Sequence, residues 1–80
     1  MKQKQVRIKI KLQTDADLTH ILKEMKALNI TVKNVRVKDI DATLRSMSVE
    51  ALVEKKRYIT DVYKEVKRLE GILATEVEGA

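Results

Sequence analysis

The chain has no cysteine, proline, phenylalanine or tryptophan, and only two glycines, two tyrosines and one histidine. Without cysteine there is no disulfide and no thiolate metal site, and one imidazole is too little for a zinc cage. The absence of cysteine also fits a reducing, cytoplasmic compartment. Glycine occurs only at Gly71 and Gly79, which leaves no glycine-rich loop to cradle a phosphate. No run of about twenty apolar residues is present and nothing reads as a signal peptide, so no membrane span is expected within this stretch. Acid is missing from the start of the chain. Lys2, Lys4, Arg7, Lys9 and Lys11 all precede Asp15, and the later charges cancel, so the net charge of +5 sits on these first residues. That run reads either as a solvated strand face with a soluble lead-in or as a surface for an anionic neighbour, a lipid surface or a nucleic acid.

What is present is clear periodicity. From Val6 to Gln13 apolar and polar residues alternate without a break. That is the two-residue period of a strand with one buried face, made by Val6, Ile8, Ile10 and Leu12. The period then changes: Leu18, Ile21, Leu22, Met25 and Leu28 recur at three- and four-residue steps and predict a one-sided helix over about residues 15–28. Thr14 or Asp15 is the expected cap, and Asn29, which tolerates a left-handed backbone, the expected stop. A second strand is expected over 30–38 with a bulge near Lys33-Asn34, because Ile30 and Val32 are out of phase with Val35 and Val37. The Asp39–Ala42 turn has neither glycine nor proline, so its hairpin should be longer than two residues.

A third strand over 44–54 puts Met47, Val49, Ala51 and Val53 on one face, with Leu44 and Leu52 on the other, more polar one. Exposed leucines of that kind suggest a contact surface. After the basic link Lys55-Lys56-Arg57, residues Ile59, Val62, Tyr63, Val66 and Leu69 give a second amphipathic helix, with Gly71 as its left-handed cap and a last strand over 72–78.

Residues 1–80 therefore make a single small domain, strand–helix–strand–strand–helix–strand. A chain this short buries only about 60% of its unfolded surface, so self-association or a larger parent is expected to help it. Right-handed crossovers give an α+β, ferredoxin-like βαββαβ plait: one antiparallel sheet in the order 4-1-3-2, with both helices on one face. The core is expected from Ile8, Ile10, Leu22, Met25, Val49, Val62, Val66 and Leu69.

No catalytic constellation appears, which argues against an enzyme and against a bound cofactor. His20 lies off the apolar stripe and can at most pair with Asp17 or Glu24 on the helix surface. The carboxylate pairs Asp15/Asp17 and Asp39/Asp41 read as caps and turns rather than metal sites. RNA-recognition domains share the strand order, but they stack bases on aromatics of the first and third strands. Both strands lack aromatics here, so nucleic acid is disfavoured.

The Val6–Leu12 strand, the acidic turn Thr14-Asp15-Ala16-Asp17-Leu18, the helix ending in Leu28-Asn29-Ile30 and the closing Leu69-Glu70-Gly71-Ile72 together resemble an ACT-type regulatory domain. The resemblance covers nearly the whole chain. It implies a non-catalytic module that pairs with a second copy and binds a small ligand near the first turn, here around Thr14, Asp15, Asp17 and Asn34. Many members carry a glycine in that turn, where this chain has Asp17-Leu18.

Within that fold the chain is most similar to the soluble C-terminal domain of the MgtC/SapB family, bacterial inner-membrane proteins associated with magnesium homeostasis. That resemblance implies a cytosolic domain beside a bilayer, and its partners would be the parent protein or the membrane surface. The alternative it leaves open is an amino-acid-sensing ACT domain of a (p)ppGpp synthetase/hydrolase or a biosynthetic enzyme.

Overall fold

The computed structural model describes residues 2–79. Six elements follow in the expected order: β1 (Gln3–Gln13), α1 (Leu18–Ala27), β2 (Thr31–Asp39), β3 (Leu44–Glu54), α2 (Ile59–Lys67) and β4 (Ile72–Gly79). The strands form one antiparallel sheet ordered β2-β3-β1-β4, which is the expected 4-1-3-2 read from its other edge. β1 is central and pairs along its full length with β3, setting Val6 opposite Ala51, Ile8 opposite Val49 and Ile10 opposite Met47. These side chains share one face with Leu12 and Val53, and all are buried. Ile21 and Met25 of α1 and Val62 and Val66 of α2 close over them in a single apolar cluster.

The turns hold where backbone chemistry demands it. Asn29 takes φ +61° and Gly71 φ +89°, each ending a helix segment in the left-handed region that few other side chains tolerate. The β2 bulge falls between Val32 and Asn34, as the phase change in the sequence requires.

Several details differ from the sequence reading. α1 starts at Leu18 and is capped by Asp17, whose Oδ1 accepts from the His20 N–H at 3.1 Å, not by Thr14 or Asp15. The chain first makes a turn, with Ala16 N–H donating to the Gln13 carbonyl at 3.0 Å, and that turn uses the residues that could have capped a longer helix. Leu22 and Leu69 are only partly buried, whereas Ile21, Ile30, Leu12 and Met47 are fully enclosed. The reason is one of length. β3 runs eleven residues, about 33 Å at a strand's rise. The helices have ten and nine residues, about 15 Å each, so they roof only the middle of the sheet. α1 touches β2 lightly. Val37 on that edge strand faces the helix layer yet stays 44% exposed.

Leu44 and Leu52 do share the open face of β3, but both are half-buried, and eight residues separate them by about 26 Å. They do not form one patch.

Ile10 sits at the centre of this packing, so Ile10→Ala should lower stability by roughly 2–5 kcal/mol. Urea unfolding measures it. A midpoint that hardly moves would contradict the central position of β1.

Candidate functional site

The first turn is held by two neighbouring carbonyls of the β2–β3 loop. Thr14 N–H donates to the Thr43 carbonyl at 3.0 Å, and the Thr14 hydroxyl donates to the Ala42 carbonyl at 3.3 Å. These bonds tie the β1–α1 turn to the β2–β3 loop. Thr14, Asp15 and Asp17 are thus neighbours, with Asp15 exposed and Asp17 occupied as the helix cap. Asn34 is elsewhere. It lies on the open face opposite Glu50, which in turn is opposite Arg7. Arg7 is six residues up β1 from Gln13, about 20 Å away. Three of the four expected ligand residues come together, and Asn34 does not join them.

His20 does what its spacing allows, its Nε2 lying 3.7 Å from Glu24 Oε1 on the exposed helix surface. Tyr63 is half-buried, with the Lys67 ammonium 5.6 Å from its ring centroid, a helical cation–π pair.

The early basic run is split by the pleat. Arg7, Lys9 and Lys11 point to the open face, and the register adds Arg36 and Lys38 of β2 beside Ser48 and Ser46. Acids interrupt this patch. Glu78, Glu76 and Glu50 stand opposite Arg7, Lys9 and Arg7 across the sheet, and Arg7 reaches Glu78 at 3.5 Å. Both partners are about half exposed, so the pair adds little stability.

Lys4 instead alternates to the helix side opposite Val53. With Lys2 it stands at the far end of the sheet, where β3 stops and the Lys55–Tyr58 link begins. Lys55 N–H donates to the Lys2 carbonyl at 3.1 Å. Arg57 locks the link in place, donating to the Asn29 carbonyl at 3.2 Å and pairing with Glu65. Lys26, at the end of α1, lines a groove of about 750 Å³ at this same end with Gln3, Glu54 and Thr31. The opposite end holds Asp15, Asp17, Asp39 and Asp41, but also Arg45, which pairs with Asp39 at 2.8 Å, and Lys67 and Arg68 beside the α2–β4 turn, whose Gly71 packs near Ala16. The 41 × 20 × 19 Å molecule therefore has a basic pole at one end and mixed charge at the other. The sequence reading noted Lys55-Lys56 only as a link; the usable signal was the strand order, which sets the start of β1 beside the end of β3.

Comparison with known proteins gives a consistent picture. The chain is 35% identical to Protein SapB of Bacillus subtilis (strain 168) over 98% of its own length. The chain has an ACT-like fold and is related to SapB along nearly its whole length. It spans about a third of SapB, 34% of that protein's length. The C-terminal domain of the MgtC protein from Mycobacterium tuberculosis superposes with a TM-score of 0.73, covering 96% of this chain and 87% of that one at 12% identity. The ACT domain from GTP pyrophosphokinase of Chlorobium tepidum superposes at 0.72, covering 96% and 100% at 12% identity. The P2 domain of the chemotaxis kinase CheA, in complex with CheY, from Thermotoga maritima also gives 0.72, over 99% and 100% at 9% identity. These structural likenesses speak to the fold alone, while SapB carries the kinship. No protein-family model matches the chain.

The mixed-charge end has one strongly organised carboxylate. Asp41 Oδ1 accepts from the Thr43 and Leu44 N–H groups at 2.8 Å each and from the Thr43 hydroxyl at 3.0 Å. Those bonds hold its pKa below the ordinary 3.8, the Thr43 backbone bond acting most. A carboxyl whose folded pKa is depressed contributes stability above its unfolded value, and that share is lost as the pH falls through the folded pKa. Asp41→Asn should therefore flatten the acid limb of stability below about pH 4. Urea midpoints measured against pH for both proteins test this, and parallel curves would contradict it.

Proposed function

We propose that this chain is a non-catalytic regulatory and interaction domain within a larger MgtC/SapB-type membrane protein. In that setting it sits on the cytosolic side of the bilayer and serves a parent concerned with magnesium homeostasis. The observation that carries the reading is the relation to SapB. It runs along 98% of this chain yet accounts for 34% of SapB, the relationship of a module to a longer protein. Neither helix here is long and apolar enough to cross a membrane. In this reading the anchoring segments belong to the rest of the parent.

Interaction through surfaces is favoured over sensing a small ligand at the first turn. Two of the three residues gathered there already have partners, Thr14 with Ala42 and Asp17 with His20. Thermal denaturation of the chain with amino acids, nucleotides and Mg²⁺ discriminates between the two. A ligand at a hundred times its dissociation constant adds about 2.7 kcal/mol. No shift is the expected result, and a saturable shift lost in Asp15→Asn would install the ligand-sensing alternative.

A second copy is one proposed partner, through the β2 edge. That edge carries open backbone groups together with the exposed Val37 and, just beyond its end, Ile40. Sedimentation at tens of micromolar should give a dimer that Val37→Lys reduces to monomer. A monomeric parent chain at that concentration would remove the edge from consideration.

A further inference from the structure

The basic pole differs from the open sheet face in what surrounds its charge. Lys2, Lys4, Lys26, Lys55 and Lys56 gather there with Glu54 and, in the first turn of α2, Asp61 as the acids near them, whereas three glutamates stand directly opposite Arg7 and Lys9 on the open face. None of these five lysines has an ion-pair partner among the described residues. Next to Lys55 and Lys56 stands Tyr58, 72% exposed, the most exposed of the large apolar side chains. Its ring has an apolar body and a polar tip, the combination that suits the headgroup layer of a bilayer. The loop that presents these groups is fixed by Arg57, through Asn29 and Glu65, and by the bond from Lys55 to Lys2.

From this charge segregation and the adjoining tyrosine, we infer that the basic pole docks on an anionic lipid surface, with Lys55 and Lys56 over the headgroups and Tyr58 between them. The inference rests on the proposed placement beside a bilayer and deepens it by naming which end faces the membrane. β1 begins at this pole, so in a longer parent a segment preceding it would join the domain on its membrane-facing side. Screening limits attraction to charges within about 8 Å of the surface at physiological salt. A pole presented end-on satisfies that limit for Lys2, Lys55 and Lys56 together. It holds Lys9 and Lys11, several residues up the sheet, mostly out of range.

The test is co-sedimentation of the 80-residue chain with vesicles of phosphatidylcholine alone or with roughly a third of phosphatidylglycerol, at about 0.15 M salt. Binding is expected on the anionic vesicles only. K55Q/K56Q should weaken it about twenty-five-fold, since each lysine near the surface contributes about a fivefold factor. K9Q/K11Q, the same change of charge on the open face, should leave it within about threefold. The Tyr58→Ser variant should weaken binding without changing its salt dependence. Circular dichroism confirms that each variant is folded.

Equal, negligible binding to both vesicle types overturns the inference, and so does an equal loss in K9Q/K11Q and K55Q/K56Q. Single-stranded RNA that strips the protein from the vesicles, with an RNA affinity that falls in K55Q/K56Q, would assign the pole to nucleic acid instead. The placement of the domain in its parent is tested apart from this, by protease access to the domain in inverted membrane vesicles. Access from the cytosolic side with no lipid binding would sink the docking and leave the placement standing.

Discussion

The alternation along β1 is the constraint on which the rest of the structure depends. Because β1 lies between β3 and β4, each of its residues is committed to one side for the whole sheet. A one-residue slip in register would carry Val6, Ile8, Ile10 and Leu12 to the solvent and bring Arg7, Lys9 and Lys11 under the helices. Burying three unpaired cations costs far more than any ladder of hydrogen bonds returns. The same residues that make the core therefore fix the charge of the opposite face. They also fix the strand pairings, which place Lys4 near Lys55 and Thr14 near Thr43.

That dependence explains what could be read from the sequence. Element order, sheet order, the bulge at Val32–Asn34 and the left-handed Asn29 and Gly71 are consequences of periodicity and local backbone preference, and the chain spells both out. The α1 cap was less legible because Thr14, Asp15 and Asp17 are all competent caps. The choice fell to the tertiary bonds between the first turn and the β2–β3 loop, which draw Thr14 away. Leu22 and Leu69 follow the helical stripe as closely as Ile21 does, and their partial exposure comes from short helices lying on a long sheet. Of the candidate ligand residues, three neighbours in sequence remained neighbours in space. Asn34 was assigned to the same place without knowledge of its row in the sheet, and its row is Glu50 and Arg7.

The charge shows a similar division between local and global information. In one dimension Lys2 through Lys11 reads as a single basic stretch. Pleating puts Lys4 on the helix side and Arg7, Lys9 and Lys11 on the open face, and strand length carries Lys2 and Lys4 to one end of a 41 Å molecule. Regrouping follows from topology: Lys9 and Lys11 acquire Arg36 and Lys38 as neighbours, while Lys2 and Lys4 acquire Lys55 and Lys56. Neither grouping is visible as a run.

The core is apolar: among the described residues every fully buried residue is hydrophobic, and the one buried polar side-chain atom left without a partner is the Thr75 hydroxyl, on the row of Ile10. A core of that kind offers no titrating group or polar pocket through which a ligand could change the fold from within. Whatever the domain communicates must pass through its outer surfaces: an edge strand with open hydrogen-bonding groups, a mixed-charge face, a mixed-charge end and a basic pole. Of these, the basic pole gives the molecule a preferred direction relative to a charged plane. An anionic surface attracts that end more than the mixed-charge one, so it orients the domain as well as holding it. Under the proposed docking, orientation would bring the β2 edge to a fixed angle beside the membrane, where two tethered copies would meet in two dimensions rather than three. Confinement of that sort raises the effective concentration of each copy for the other, and a thin-cored domain with an unfinished edge gains most from it.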